Sequence, residues 1–173
     1  MKKILLLALA ALTIAACKQE QHYFADSTET ETLKKGISAY ESADWENWRT
    51  HFADTAKIYV NSTEGISVEN RLTDLKNMTE AMSAYGFDHE NDYMEMVIDK
   101  KGESWVYYWA THKGTFAVTN KELIIPVHIA ARFVDGKVVA EHIYFDATEM
   151  NAEFAVIAAM AESEEDSVEE SEE

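Results

Sequence analysis

The sequence predicts an α+β domain, a cone in which three N-terminal helices pack on a strongly bent, mainly antiparallel sheet. Three observations carry this. Apolar residues recur at helical spacing between Leu33 and Tyr85. From Tyr93 to Phe145 they alternate in extended runs separated by turn residues. Helices followed by hairpins give segregated layers, with the helices on one face of the sheet. No internal repeat interrupts this order.

The chain opens with a leader. Lys2 and Lys3 precede an apolar run from Ile4 to Leu12, and Ile14-Ala15-Ala16-Cys17 closes it. A basic start, a short hydrophobic run and small residues make an export signal. The run is too short to span a bilayer, which takes about 20 apolar residues. Cys17 is the only cysteine. In this position it resembles the lipobox of bacterial lipoproteins, in which the thiol is acylated and the chain is cut before it. An unrelated cysteine after an ordinary signal is the alternative, but an odd thiol in an exported chain calls for an explanation. Several acyl chains would anchor the protein firmly to a membrane, and the expected location is the bacterial cell envelope.

Segment boundaries follow. Residues 1–16 are the signal, 17–27 the lipidated cysteine and linker, 28–161 one domain, and 162–173 an acidic tail expected to be disordered. In the tail eight of twelve residues are acidic, and such blocks repel and stay solvated. The whole chain carries a net charge of −17. That excludes nucleic acid as a partner, because phosphates need Lys and Arg, and it disfavours broad contact with anionic headgroups.

Each element has a local signal. Thr28 with Glu31 suits a capping box ahead of Leu33, Ile37 and Tyr40. Asp44 can cap a short second helix bearing Trp45, Trp48 and Phe52. Ala56–Val60 reads as a strand. Ser67 can cap a third helix with a stripe of Val68, Leu72, Leu75, Met78, Met82 and Tyr85, ended by Gly86. Tyr93–Ile98 and Trp105–Val118 read as strands, the latter bulged or bent at Gly114. Leu123, Ile125, Val127, Ile129, Ala131 and Phe133 point one way along the next strand. Asp135-Gly136 is a hairpin signal leading to Val138–Phe145. Asn151–Ala161 reads as a closing helix.

Ser42-Ala43-Asp44-Trp45 with His51-Phe52-Ala53-Asp54-Thr55-Ala56, His112-Lys113-Gly114-Thr115-Phe116, Asp135-Gly136-Lys137-Val138 and Tyr144-Phe145-Asp146 together resemble the SnoaL-like branch of the nuclear transport factor two-like superfamily. The resemblance spans roughly Thr28 to Phe154. It implies a cone-shaped fold with a cavity, and commonly a homodimer through the open sheet face. It also implies that Asp146, at the end of the last strand, is an acid/base of the cyclase type. The aspartate after the first strand in ketosteroid isomerase has no counterpart in Ile58-Tyr59-Val60-Asn61, and its second acid falls near Ile129. The two aspartates around an arginine in limonene epoxide hydrolase have no counterpart beside Arg132. Neither activity is expected.

Strand alternation puts Val138, Ala140, His142, Tyr144 and Asp146 on one face. If that face lines the cavity, Asp146 lies near His142, and aromatic surroundings raise its pKa for proton abstraction. Alternatively Asp146 caps the final helix. His128 and Arg132 lie opposite the apolar set of their strand and face either cavity or solvent. His112 shares a face with Val106, Tyr108 and Ala110. The three histidines lack metal-ligand spacing, so neither metal nor other cofactor is expected. The catalytic candidates are Asp146, His142 and His128. The ligand-binding candidates are Tyr108, His112, Arg132, Tyr144 and Trp45. The leading expectation is a tethered domain binding a small, largely apolar molecule. A cyclase or isomerase and a non-catalytic dimerisation module are the alternatives.

Overall fold

The computed structural model describes residues 21–171. The export signal and Cys17 lie outside the described residues. The elements are β1 (Tyr23–Phe24), α1 (Thr28–Glu41), α2 (Trp45–Thr50), β2 (Phe52–Val60), β3 (Ile66–Ser67), α3 (Val68–Glu80), β4 (Met82–Phe87), β5 (Tyr93–Ile98), β6 (Ser104–Phe116), β7 (Glu122–Val134), β8 (Lys137–Phe145) and α4 (Thr148–Ser171). Eight strands form one sheet in the order β1-β5-β6-β7-β8-β2-β3, with β4 also paired to β6. Among the described residues only the β2–β8 pair is parallel.

The sheet curls around α1, α2 and α3. Leu33, Ile37, Tyr40, Trp48, Val68 and Leu75 meet the inner strand residues Val106, Tyr108, Ile129, Ala131 and Ile143 in the main core. A second cluster of Met82, Phe116, Leu123 and Ile125 lies under Met150, Phe154 and Ile157 of α4. This helix therefore covers one end of the cone.

Several local expectations hold in chemistry and shift in detail. The α1 cap is Ser27, one residue early. Its hydroxyl accepts from Thr30 N at 3.1 Å, and the Thr30 hydroxyl accepts from Ser27 N at 2.9 Å. Asp44 caps α2 and Ser67 caps α3. Asp135 and Gly136 have φ of 49° and 74°, the two positive values that a type I′ hairpin turn needs.

Four expectations are corrected. The three leading helices are not a continuous N-terminal layer: β1 precedes α1, and β3 joins the expected β2 between α2 and α3. The third helix stops at Glu80, and Met82–Phe87 pairs with β6 as a strand. Gly114 keeps continuous register with β7. Its missing side chain matters for a different reason, since a Cβ there would lie 3.1 Å from Met82 Sδ. At the ends, Tyr23–Phe24 of the expected linker pairs with β5. The closing helix starts at Thr148 and takes in the acidic segment as far as Ser171. Glutamate is a good helix former, which offsets some of the charge repulsion.

Candidate functional site

The inner face of the sheet and the three helices enclose a cavity of about 110 Å³. Its wall is mostly apolar, formed by residues such as Leu33, Ile37, Trp48, Phe52, Ile129 and Ile143. Five ionisable side chains break that wall: Tyr40, His51, Arg71, His112 and Glu141.

Glu141 reaches the cavity through a β-bulge. Phe133 pairs with Val138, but the preceding Arg132 pairs with Ala140. The extra residue, Val139, reverses the alternation. Val138 and Glu141 therefore both point inward, and both line the cavity. Glu141 is only 5% exposed. No side chain among the described residues hydrogen-bonds or ion-pairs with its carboxylate. Burial pushes its pKa up to about 7, and Arg71 opposes that shift.

Arg71 enters from α3. It sits one turn after Val68 and one turn before Leu75, on the buried stripe of the helix. Its Nε is buried without a partner. Burial disfavours its charged form, while Glu141, Tyr40 and Asp74 favour it. Arg71 and Glu141 thus feel each other, yet no ion pair joins them.

Tyr40 and His112 form the third polar feature. Tyr40 Oη lies 2.8 Å from His112 Nε2. Burial lowers the His112 pKa to about 4 and raises that of Tyr40. Both groups are therefore neutral at physiological pH. A neutral His112 carries one ring N–H donor and one acceptor nitrogen, and its Nε2 is engaged with Tyr40. His51 lies at the end of α2 against Gly36 of α1, where a Cβ would be 3.4 Å from the ring. Its Nε2 is buried without a partner, and burial lowers its pKa.

Of the catalytic and ligand-binding candidates named from sequence, only His112 lines the cavity. Asp146 is exposed, and its carboxylate accepts from Thr148 N at 2.9 Å. Hydrogen bonding to Thr148 lowers its pKa. It stabilises the start of α4 and is not placed to act in the cavity. His142 and His128 lie on the outer face of the sheet. His142 stacks on Tyr59 at 4.4 Å, and His128 on Trp109 at 4.5 Å. Tyr144 is 50% exposed on the same face. Arg132 donates to Glu103 at 2.8 Å. Tyr108 is core, donating to Asp92 at 2.9 Å. Trp45 packs edge-on to Tyr40 outside the cavity lining. The bulge explains the misplacement at β8, because alternation from Val138 carries the wrong parity past Val139.

Arg71 and Glu141 did leave a trace in the sequence. Arg71 falls at helical spacing between the apolar Val68 and Leu75, and Glu141 interrupts the run between Ala140 and Ile143. Among the described residues no group of three His, Cys, Asp or Glu side chains is arranged to hold a metal ion.

A second, more polar hollow adjoins the cavity. Val60, Asn61, Arg71, Asp74, Asn77, Met78, Phe145, Ala147, Met150, Asn151 and Phe154 line it. Arg71, Met78, Phe145 and Met150 belong to both spaces, so the two meet at Arg71 beneath α4.

No family model and no curated protein matches the chain. Solved structures match its fold. A proposed polyketide cyclase from Xanthomonas campestris pv. campestris superposes with a TM-score of 0.60 at 13% identity, over 72% of this chain and 95% of that one. IdmH, a proposed polyketide cyclase from Streptomyces antibioticus, gives 0.60 at 16% identity over 75% and 99%. A SnoaL-like protein from Jannaschia sp. CCS1, also a proposed polyketide cyclase, gives 0.58 at 14% identity over 73% and 90%. The neighbours include proteins described as SnoaL-like and as nuclear transport factor two-like, and at these identities the likeness is one of fold.

Proposed function

We propose that this chain is an exported lipoprotein, anchored through acylated Cys17 in the bacterial cell envelope, whose cone-shaped domain binds a small, largely apolar molecule. The observation that carries the binding reading is the largely apolar cavity with Arg71 Nε buried without a partner in its wall, and Glu141 buried beside it without an ion pair. Unpaired buried polar groups are costly, and a ligand supplies the missing partners. The cavity is smaller than the roughly 300–1,000 Å³ of drug-sized sites, so the occupant is small. Screening small hydrophobic compounds by thermal shift should find some that raise Tm. Ile129→Trp, which fills the cavity, should abolish the shift. If saturating compounds never shift Tm, the binding reading is wrong.

One observation favours an enzyme as the second reading, with Glu141 rather than Asp146 as the acid/base. A carboxyl group with a pKa near 7, facing a largely apolar cavity, suits proton abstraction beside a carbonyl. Under this reading Glu141→Gln abolishes turnover and Asp146→Asn does not. The reverse result would restore Asp146.

The anchor rests on the leader sequence alone. Mass spectrometry of the native N-terminal peptide should find acylated Cys17, and Cys17→Ser should release the protein from the membrane fraction. Among the described residues no helix is long and apolar enough to cross a membrane. The homodimer is supported by the outer sheet face, where Trp109 and Tyr144 are 42% and 50% exposed. Exposed aromatics of this kind mark contact surfaces.

A further inference from the structure

The cavity's polar groups restrict the chemistry of its occupant. Arg71 offers a buried, unpartnered donor. Glu141 offers a carboxyl group without a protein partner. The other ionisable groups facing Glu141 are Tyr40 from α1, His51 from the end of α2 and His112 from β6. Both histidines are held neutral by burial. Lys35 and Lys137 act on His51 without lining the cavity. Arg71 is therefore the single cation in the wall, and Asp74 beside it lines the neighbouring hollow.

Each class of ligand can be weighed on that arrangement. An amine would pair with Glu141 but meet Arg71 as a like charge. An alcohol or amide would leave the Arg71 charge without a counter-ion. A phosphate or sulfate would carry more oxygens than one guanidinium can satisfy, against apolar walls. A carboxylate matches the arginine fork with two oxygens. One of those oxygens can share a proton with Glu141, and the hydrocarbon part lies against Leu33, Ile37, Ile129 and Ile143.

The geometry points to a small monocarboxylic acid as the ligand, its carboxylate held by Arg71 and hydrogen-bonded to Glu141. This rests on the cavity-binding reading and narrows it. The polar hollow that meets the cavity at Arg71 is the entry side for the charged head. A second negative charge in the cavity makes ionised Glu141 less favourable still, so binding takes up a proton from solvent. Affinity then falls as pH rises above about 7, where free Glu141 ionises, by up to about tenfold per pH unit. The net charge of −17 opposes entry of an anion, so moderate salt should help binding.

The test is calorimetric titration of the full chain with butyrate and benzoate, beside butyramide and benzamide as neutral matches. Titrations at pH 6 and pH 8, in buffers of different ionisation heat, count the protons exchanged. The acids should bind about tenfold or more tighter than the amides at pH 6, with net proton uptake as pH approaches 7. Arg71→Met should remove the preference for acids. Glu141→Gln should lose the proton uptake and flatten the pH dependence of binding, since its amide does not ionise. If the amides bind as well as the acids, or uptake is absent, the carboxylate assignment is overturned while cavity binding stands. If neither acids nor amides bind, both fall. The wild-type comparison decides the matter even if Arg71→Met fails to fold.

Discussion

At the scale of single residues, Glu141 dominates. Its folded pKa is raised above the ordinary glutamate value of 4.5 to about 7, so the native state binds more protons than the unfolded chain between those values. Stability contributed by the protonated group is complete below pH 4.5 and lost as pH rises through 7. Glu141→Gln should therefore be more stable than the parent at pH 8, by of order 3 kcal/mol at 1.4 kcal/mol per pH unit, and about equal at pH 4. Chemical denaturation at the two pH values checks this. His89 gives an effect in the same direction from a different cause. Its ring lies 3.0 Å from Asp92 and 3.0 Å from Glu41, and hydrogen bonds to Asp92 and then Glu41 raise its pKa. The tie is complete below the unfolded histidine value of about 6.5 and fades as pH rises through the raised one. Because the ring is half exposed, His89→Ala should cost under about 1 kcal/mol at pH 5.5 and almost nothing at pH 8.5, read as Tm. At this scale the sequence placed His112 correctly, since β6 alternates without interruption. It lost Glu141 because a bulge depends on the neighbouring strand's register, which local alternation does not contain.

At the scale of elements, turns and caps were the most legible features because their causes are local. Asp135-Gly136 needs only its own backbone freedom, and Asp44 and Ser67 need only nearby amides. The end of α3 was not legible. Met78, Met82 and Tyr85 continue a helical spacing, but pairing with β6 draws Met82–Phe87 into the sheet, and tertiary pairing overrides a short periodic run. Gly36 in the middle of α1 lines the cavity, and a Cβ there meets His51 at ordinary contact distance, 3.4 Å. Gly36→Ala should thus be tolerated and stabilise the fold by up to about 1 kcal/mol, measured by urea unfolding. The helix α4 is held by side chains. Phe154 meets Phe116 edge-on at 5.1 Å, over Met82, Leu123 and Ile125. Phe154→Ala should cost about 1–2 kcal/mol, as the ring is half buried, and should increase binding of a hydrophobic dye at the exposed cluster.

At the scale of the whole molecule, the two faces of the sheet have separate chemistry. The inner face makes the core and the cavity. The outer face carries stacked rings, with Trp105, Tyr107 and Trp109 along β6 and His128 and His142 beside them. The aromatic richness of β6 was plain in the sequence. Alternation separates Trp105, Tyr107 and Trp109 from Tyr108, and the fold decides which set faces outward. If this face joins two copies, Trp109→Glu should convert a dimer to a monomer in sedimentation without lowering ligand binding. A monomeric parent protein would remove the dimer reading and leave the cavity reading untouched.

The central claim is that Glu141, not Asp146, is the ionisable carboxyl group at the functional site. Carbon-detected NMR titration of the side-chain carboxyl groups, with Glu141→Gln to assign the signal, tests it most directly. The account predicts that Glu141 titrates near pH 7 and moves upward when the cavity is occupied, while Asp146 titrates below the usual aspartate range and does not respond. A Glu141 midpoint near 4.5, unmoved by any cavity ligand, would contradict it.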